Sequence, residues 1–264
     1  MDWRVMGLTR SEAMVAQKVL SGQQSQTKFN AYYSRVRFTT TLTSLVYTVS
    51  KGQNVTAFGY GIGQDMATAG QSGNAATPAD TNLTSANQTV SGECLLIRGI
   101  GLIVLCGSDA HLVKQSDGQI SCQLNLNGGN PVYKLGVPSM LPGPGGFFGR
   151  SDAPSVGPSP AEVTNGNIGA LSNGMPVASN YFPFEEPIIW RPAGSPDSSL
   201  NVQLRSEYQF ATNANYGLAT RSALAGVTSS FTGTNAYTPP TAAATYIDFL
   251  VVLIGVTINP LSGN

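Results

Sequence analysis

Alternating apolar and polar residues indicate that several stretches of the chain are strands with one solvent-exposed face. Apolar residues stand at even positions in the segment 119–127 and, apart from Ser206, in the segment 200–210, with polar residues between them. Two other segments, 93–107 and 245–258, are apolar at consecutive positions. Because a strand covered on both faces does not alternate, we expect these two to lie centrally in a sheet, with the outer face covered by a loop, an N-terminal arm or another subunit.

Eight segments in all have the composition of strands. They are 34–49, 54–62, 93–107, 119–127, 131–136, 181–192, 200–210 and 245–258. Eight strands without helical crossovers predict an all-β antiparallel sandwich or barrel. We favour an eight-stranded jelly roll, with strands 1, 8, 3 and 6 in one sheet and strands 2, 7, 4 and 5 in the other. A double jelly roll and an immunoglobulin-like sandwich are the alternatives.

A short helix is predicted ahead of the strands. Thr9 and Glu12 make a capping box, a narrow apolar stripe follows, and Gly22 can end the helix. We therefore assign residues 1–30 to an N-terminal arm with a short helix. Such an arm is typically a packing element or a contact with a neighbour.

The jelly-roll domain predicted for residues 31–264 carries three long loop insertions. They are rich in small and polar residues and lie at about 64–90, 137–180 and 211–244. Loops of this length normally carry function or contacts. A double roll needs about twice as many strands, and the proline and glycine content of the insertions favours a single roll.

Charge is sparse along the whole chain. The 264 residues include 14 basic and 14 acidic ones, so the net charge is zero, and only 11% of residues are charged. Soluble domains usually have about 25%. A neutral surface lacks long-range attraction for nucleic acid or anionic membranes and favours self-association. This composition fits a protein built into an assembly, and equally a secreted β protein.

The sequence predicts folding in a cytoplasm, because it shows no recognisable secretion signal or membrane-spanning helix. The N-terminus lacks the long apolar core of a signal peptide. The longest apolar run, at 249–258, is too short to span a bilayer as a helix.

Metal chemistry has little support in the sequence. The sole histidine, His111, lies near two aspartates in a polar segment that we interpret as an exposed hairpin loop. Cys94, Cys106 and Cys122 show no Cys-x-x-Cys spacing, so a zinc site is not expected. We interpret them as buried thiols, although Cys106 and Cys122 flank a short loop and a bond between them is an alternative.

Catalytic motifs are weak as well. The glycines of 59–63 precede a loop instead of opening a helix, as a dinucleotide site requires. Ser151 lacks the glycine pattern of a nucleophile elbow and a histidine partner. Glu185 and Glu186 are adjacent, so on a strand they point to opposite faces and cannot by themselves form a paired-carboxylate site. We expect no enzyme, no cofactor and no metal.

The stretch FPFEEPIIWRPAGSPDSSLNVQLRSEYQF, followed after a long loop by TYIDFLVVLIGVTI, resembles the last strands of viral jelly-roll coat proteins. In those proteins a strand ends in a Trp/Pro turn, an alternating strand returns, and a strongly apolar strand closes the sheet. Over about residues 30–264 the chain resembles a capsid protein of a tailless icosahedral bacteriophage with an internal membrane.

This resemblance implies a structural capsid protein that self-assembles into the icosahedral virion shell after synthesis in the host cytoplasm. Its implied partners are copies of itself, other capsid proteins and an internal lipid membrane, without a specific nucleic-acid site. Candidate inter-subunit or membrane contacts are Trp3, Arg4, Arg10, Phe147 and Phe148.

The alternative function is a carbohydrate- or receptor-binding β-sandwich, such as a spike, a vertex protein or a lectin-like module. It needs aromatic platforms, which Trp190, Tyr181, Tyr208 and Tyr246 can supply, although aromatic residues in strands are more often core residues. A metal-dependent enzyme on the same barrel ranks third, because the chain has one histidine.

Overall fold

A computed structural model gives the fold of most of the chain. The described residues are Arg10, Met14, 25–43, 46–89, 93–105, 112–113, 116, 118–126, 132–143, 180–191, 198–211 and 246–260. This described part contains thirteen strands and two short 3-10 helices.

The strands have the following bounds. They are β1 (Ser25–Thr39), β2 (Thr41–Thr43), β3 (Val46–Val49), β4 (Asn54–Ala57), β5 (Asp65–Met66), β6 (Gln71–Ala75), β7 (Cys94–Val104), β8 (Ile120–Leu126), β9 (Val132–Gly136), β10 (Phe182–Trp190), β11 (Leu200–Ser206), β12 (Phe210–Ala211) and β13 (Tyr246–Pro260). The 3-10 helices are Ala67–Ala69 and Pro138–Met140.

Two four-stranded antiparallel sheets form the body of the protein. The first sheet has the order β1-β13-β7-β10 and the second the order β4-β11-β8-β9. One cluster of buried apolar side chains receives residues from both sheets. The prediction of an all-β fold built from antiparallel sheets is therefore confirmed.

The position of each long strand follows from its apolar pattern. β7 and β13 are the two inner strands of the first sheet, as their continuous apolar runs predicted. Their side chains are buried on both faces: Leu95 and Val251 point into the core, whereas Leu96 and Val252 on the outer face are also at most 7% exposed. β8 and β11 alternate between buried and partly exposed residues, also as predicted.

Trp190 is the largest buried side chain of the core. Its ring makes edge-to-face contacts with Tyr32 from β1, at 5.5 Å between ring centroids, and with Phe58 just after β4, at 5.9 Å. Its indole N–H donates to the carbonyl of Ser198 at 2.9 Å, so the one polar atom of the ring has a partner. The tryptophan therefore links elements of both sheets.

Four of the six connections between the two sheets, from β1 to β4, β7 to β8, β9 to β10 and β11 to β13, lie at one end of the sandwich, called here the connection end. The other two, from β4 to β7 and from β10 to β11, lie at the opposite end. At the connection end the amide of Gly52 donates to the backbone carbonyl of Ser206 at 2.7 Å, and that of Leu105 donates to the backbone carbonyl of Asp248 at 2.9 Å. A small sheet of order β12-β3-β2 also lies here.

Several boundaries differ from those predicted. β1 begins at Ser25 and so includes the last residues that we assigned to the arm. The predicted strand 200–210 ends at Ser206, and Tyr208 is 60% exposed because the chain bends before Phe210 pairs with β3. Tyr208 and Phe210 stand at even positions, in phase with the apolar residues of β11, which is why the sequence did not reveal the bend.

Two segments that we predicted as loops contribute to the core. The segment 64–89 forms β5, β6 and a 3-10 helix, and it buries Met66, Ala69 and Leu83. In the predicted hairpin loop after β7, Leu112 is helical and fully buried. Isolated apolar residues in small, polar segments gave no periodic signal, although they pack against the sheets.

Candidate functional site

The N-terminal region presents one exposed helical face. Arg10 and Met14, the described residues of the predicted helix, are both helical. Arg10 is exposed and Met14 is 56% exposed. The helix predicted from the sequence would place these two residues, four apart, on one side, called here the Arg10–Met14 face, which combines a basic and an apolar side chain. The other predicted contact residues lie outside the described residues: Trp3, Arg4, Phe147 and Phe148.

The middle of β10 forms an acidic bulge at the edge of the first sheet. The register between β10 and β7 shifts between Pro183 and Ile188. Glu185 and Glu186 lie within the shifted stretch, and both are exposed. Neither carboxylate makes an ion pair with another described residue. This acidic bulge therefore offers two free negative charges at a sheet edge.

A buried carboxylate joins β1 to β13 near the connection end of the sandwich. Asp248 is fully buried and accepts hydrogen bonds from Arg35 and Arg37, which lie two residues apart on the same face of β1. Arg37 Nε and Nη2 lie 2.6 and 2.7 Å from its carboxylate oxygens, and Arg35 Nε lies at 3.1 Å, with Arg35 Nη2 donating as well. The guanidinium of Arg37 also lies 3.7 Å from the ring centre of Tyr246.

Asp80 extends this ion cluster to the segment before β7. Arg35 Nη1 lies 3.2 Å from Asp80 Oδ1. Burial works against the charge of Arg35, but hydrogen bonds and attraction from Asp248 and Asp80 outweigh it and raise the pKa of Arg35. Burial also works against the charge of Asp80, but hydrogen bonds from Thr77 and Arg35 outweigh it and lower the pKa of Asp80. Both groups are therefore held in their charged forms.

The segment 80–82 also occupies the free edge of β1. The amide of Arg35 donates to the Asp80 carbonyl at 2.8 Å. The amide of Tyr33 donates to Asn82 Oδ1 at 3.0 Å, and Asn82 Nδ2 donates to the Ala31 carbonyl at 2.8 Å. These bonds satisfy backbone groups that an edge strand otherwise leaves open to a further strand.

Paired amides line the outer face of the second sheet. Gln123 on β8 donates to Gln203 on β11 at 2.8 Å, and Asn125 donates to Asn201 at 3.0 Å. Thr56 on β4 continues the first pair as the register partner of Gln203. This amide surface is polar, and the exposed Lys134, the register partner of Gln123 on β9, lies beside it. The side-chain amides can exchange hydrogen bonds with a neutral partner.

The described thiols are inert. Cys94 and Cys122 are both free and buried, so the alternative of a Cys106–Cys122 bond is wrong. Burial raises the pKa of Cys94 to about 11 and that of Cys122 to about 12. Cys106 and His111 lie outside the described residues. Among the residues that the structure describes, no group of three or more His, Cys, Asp or Glu side chains is placed to hold a metal ion.

The glycines of 59–63 serve the packing of a loop. A Cβ atom at Gly61 would lie 2.7 Å from the backbone of Thr84, and Gly63 has a φ of 81°. Close backbone contact and a left-handed turn both require glycine here. The element that follows is the two-residue strand β5 and not a helix, which agrees with our interpretation of the sequence.

The aromatic residues considered for sugar binding do not share a platform. Trp190 belongs to the core, as strand aromatics usually do. Tyr246 lies beneath Arg37 on the first sheet, whereas the exposed Tyr208 follows β11 of the second. Over the described ranges, no helix is long and apolar enough to cross a membrane.

No model of a known protein family, no curated protein and no solved structure matched this chain. Its function is therefore inferred from its geometry and from the sequence resemblance described above.

Sequence reasoning missed the ion cluster, although two signals were present. Asp248 interrupts an otherwise apolar strand, and a carboxylate in such a place needs a cationic partner. Arg35 and Arg37 alternate with apolar residues and therefore share one face of β1. Pairing them requires knowing that β1 and β13 are neighbours.

Proposed function

We propose that this chain is a structural capsid protein that folds as a single eight-stranded jelly roll and self-assembles into an icosahedral virion shell. The observation that carries the proposal is the strand order of the two large sheets. Numbered along the chain as 1 to 8, the eight strands of these sheets follow the orders 1-8-3-6 and 2-7-4-5. These are the two sheets expected of a jelly roll from the apolar pattern and from the resemblance to viral coat proteins.

The distribution of the insertions also supports assembly. β9 and β11 both end at the connection end, and β10 and β13 both begin there, so the chain leaves the described fold and returns to it at that end before and after the segments 144–179 and 212–245. Loops that form towers or subunit contacts are implied by the resemblance to coat proteins. A chain with zero net charge also has little electrostatic repulsion between copies.

In this proposal the chain acts through contacts and not through catalysis. Its partners are copies of itself, other capsid proteins and an internal lipid membrane. The protein is made in the host cytoplasm and resides in the virion.

The copy number of the chain in purified particles tests this proposal. Particles from the source culture are banded in a density gradient, and the chain is quantified by mass spectrometry against a labelled peptide standard. Hundreds of copies per particle support a shell protein. A few dozen copies point to a vertex or spike protein, and absence from every particle overturns the capsid function.

A glycan-binding function is the second candidate, and the amide surface of the second sheet favours it. Side-chain amides are suitable partners for sugar hydroxyls because each one both donates and accepts. A glycan array probed with the wild-type chain and with a Gln123→Ala, Gln203→Ala variant tests it. Binding that the variant loses supports this function, and no binding by the wild type removes it.

A further inference from the structure

The two edges of the first sheet differ in what they offer to a partner. The segment 80–82 hydrogen-bonds to the edge of β1, whereas the edge at β10 carries the acidic bulge of Glu185 and Glu186. Prolines Pro183 and Pro187 flank the bulge, and proline has no N–H to donate to another strand. A partner at the β10 edge must therefore be recognised by side chains.

Glu185 and Glu186 are distinctive among the acidic residues of the described part. Each of the others accepts at least one hydrogen bond from a named donor. These others are Asp65, Asp80, Glu93, Glu207 and Asp248. The acidic bulge is therefore where negative charge remains to be matched by a cation.

The N-terminal arm supplies positive charge of the matching kind. Residues 1–24, which precede β1, contain Arg4, Arg10 and Lys18 against Asp2 and Glu12, which gives a net charge of +1 from three basic and two acidic residues. The Arg10–Met14 face is exposed, and within the described part of the chain Arg10 has no acidic partner. Among the described residues of one copy, neither this cation nor the two carboxylates has a partner of opposite charge.

We propose that the Arg10–Met14 face of one copy docks on the acidic bulge of a neighbouring copy, an inference that rests on the proposed assembly function. The arm leads into β1, at the opposite edge of the sheet from β10. A contact between different surfaces of successive copies is heterologous and closes into a ring when the rotation permits. In this contact Arg10 pairs with Glu185 or Glu186.

Charge reversal on each side of the contact tests the proposal. The full-length chain is compared with an Arg10→Glu variant, a Glu185→Lys, Glu186→Lys variant, and the variant that combines all three changes. Lys134→Glu is the matched control, because Lys134 is an exposed residue on β9, the edge strand of the other sheet. Self-association is measured by sedimentation velocity at low and high salt, and circular dichroism verifies the fold.

We expect each one-sided reversal to weaken self-association by about three- to tenfold, the range for a few exposed ion pairs turned into repulsions. The combined variant recovers most of the wild-type association, the control is unchanged, and high salt reduces the differences. Wild-type association that survives both reversals overturns the docking contact and leaves the assembly function standing. A wild-type chain that stays monomeric and is absent from particles overturns the assembly function itself.

Discussion

Replacing Asp248 by Asn tests whether the buried ion cluster holds β1 against β13. The substitution keeps the size of the side chain and removes its charge. Asp248 is fully buried, and its two oxygens accept four N–H groups from Arg35 and Arg37. Asparagine keeps one acceptor oxygen and turns an NH2 group towards one of the guanidinium groups. Oδ2 accepts three of the four bonds and Oδ1 one, so the NH2 group removes one or three of them according to its orientation, and two like charges remain side by side.

The size of the expected loss of stability depends on how deeply Asp248 and its two arginine partners are buried. Breaking a buried ion pair by removing one partner costs about 3–5 kcal/mol. The side chains of Arg35 and Arg37 are 24% and 21% exposed, so water can replace part of the hydrogen bonding that they lose with the carboxylate. Asp80 remains beside Arg35 and offsets a further part. We therefore expect a decrease of about 2–4 kcal/mol in the free energy of unfolding.

Urea unfolding followed by tryptophan fluorescence measures this decrease, since Trp190 is buried and unfolding exposes it. Glu186→Gln is the matched control, because it removes a carboxylate that is exposed and unpaired in the described structure, and we expect a change within about 0.5 kcal/mol. A decrease below about 1 kcal/mol for Asp248→Asn, with an unchanged urea dependence, would refute the role of the cluster in joining the strands.

Four other predictions concern the fold, the arm, acid and the thiols. Val252→Asp should prevent folding, since it places an unpaired charge at a position only 7% exposed, and soluble folded protein on expression would contradict this. Deleting residues 1–24 should leave a folded domain, because β1 begins at Ser25. In the proposed assembly this shortened chain should no longer form particles, and normal particles would disprove the role of the arm. Because the pKa of Asp80 is lowered from its ordinary value of 3.8, its carboxylate stabilises the fold at any pH above 3.8. This stabilisation is lost as the pH falls through the lowered pKa. In urea titrations from about pH 5 downward, Asp80→Asn should therefore lose less stability than the wild type. Cys94 and Cys122 should resist iodoacetamide at about pH 8 until denaturant is added, and rapid labelling of the native protein would count against their burial.

Sequence pattern located the main strands because strand burial leaves a signal of period two. The apolar runs of β7 and β13 indicated inner strands, and the alternation in β8 and β11 indicated strands with one wet face. Local pattern did not locate the bend after Ser206, because Tyr208 keeps the alternation while its side chain turns to solvent. Nor did it show that the segment 64–89 is folded, since its buried residues are few and irregularly spaced.

The functional surfaces were harder to predict because they depend on which strands are neighbours. Arg35 and Asp248 lie 213 residues apart in the chain, so no local pattern joins them. Glu185 and Glu186 looked like ordinary strand residues pointing to opposite faces. The shift of register against β7 instead leaves both in solvent, and that shift depends on the pairing of two strands distant in sequence.

The treatment of the sheet edges indicates how copies of this protein can associate. An exposed edge with free N–H and carbonyl groups invites a further strand and so favours indefinite aggregation. Here side-chain and backbone groups of the segment 80–82 occupy part of the β1 edge, and two prolines and two carboxylates interrupt the β10 edge. Extending the first sheet from one copy to the next is therefore unfavourable at both of these places. The proposed assembly into a closed shell requires contacts with a fixed geometry, and side-chain recognition at an interrupted edge provides one that continuous strand pairing does not.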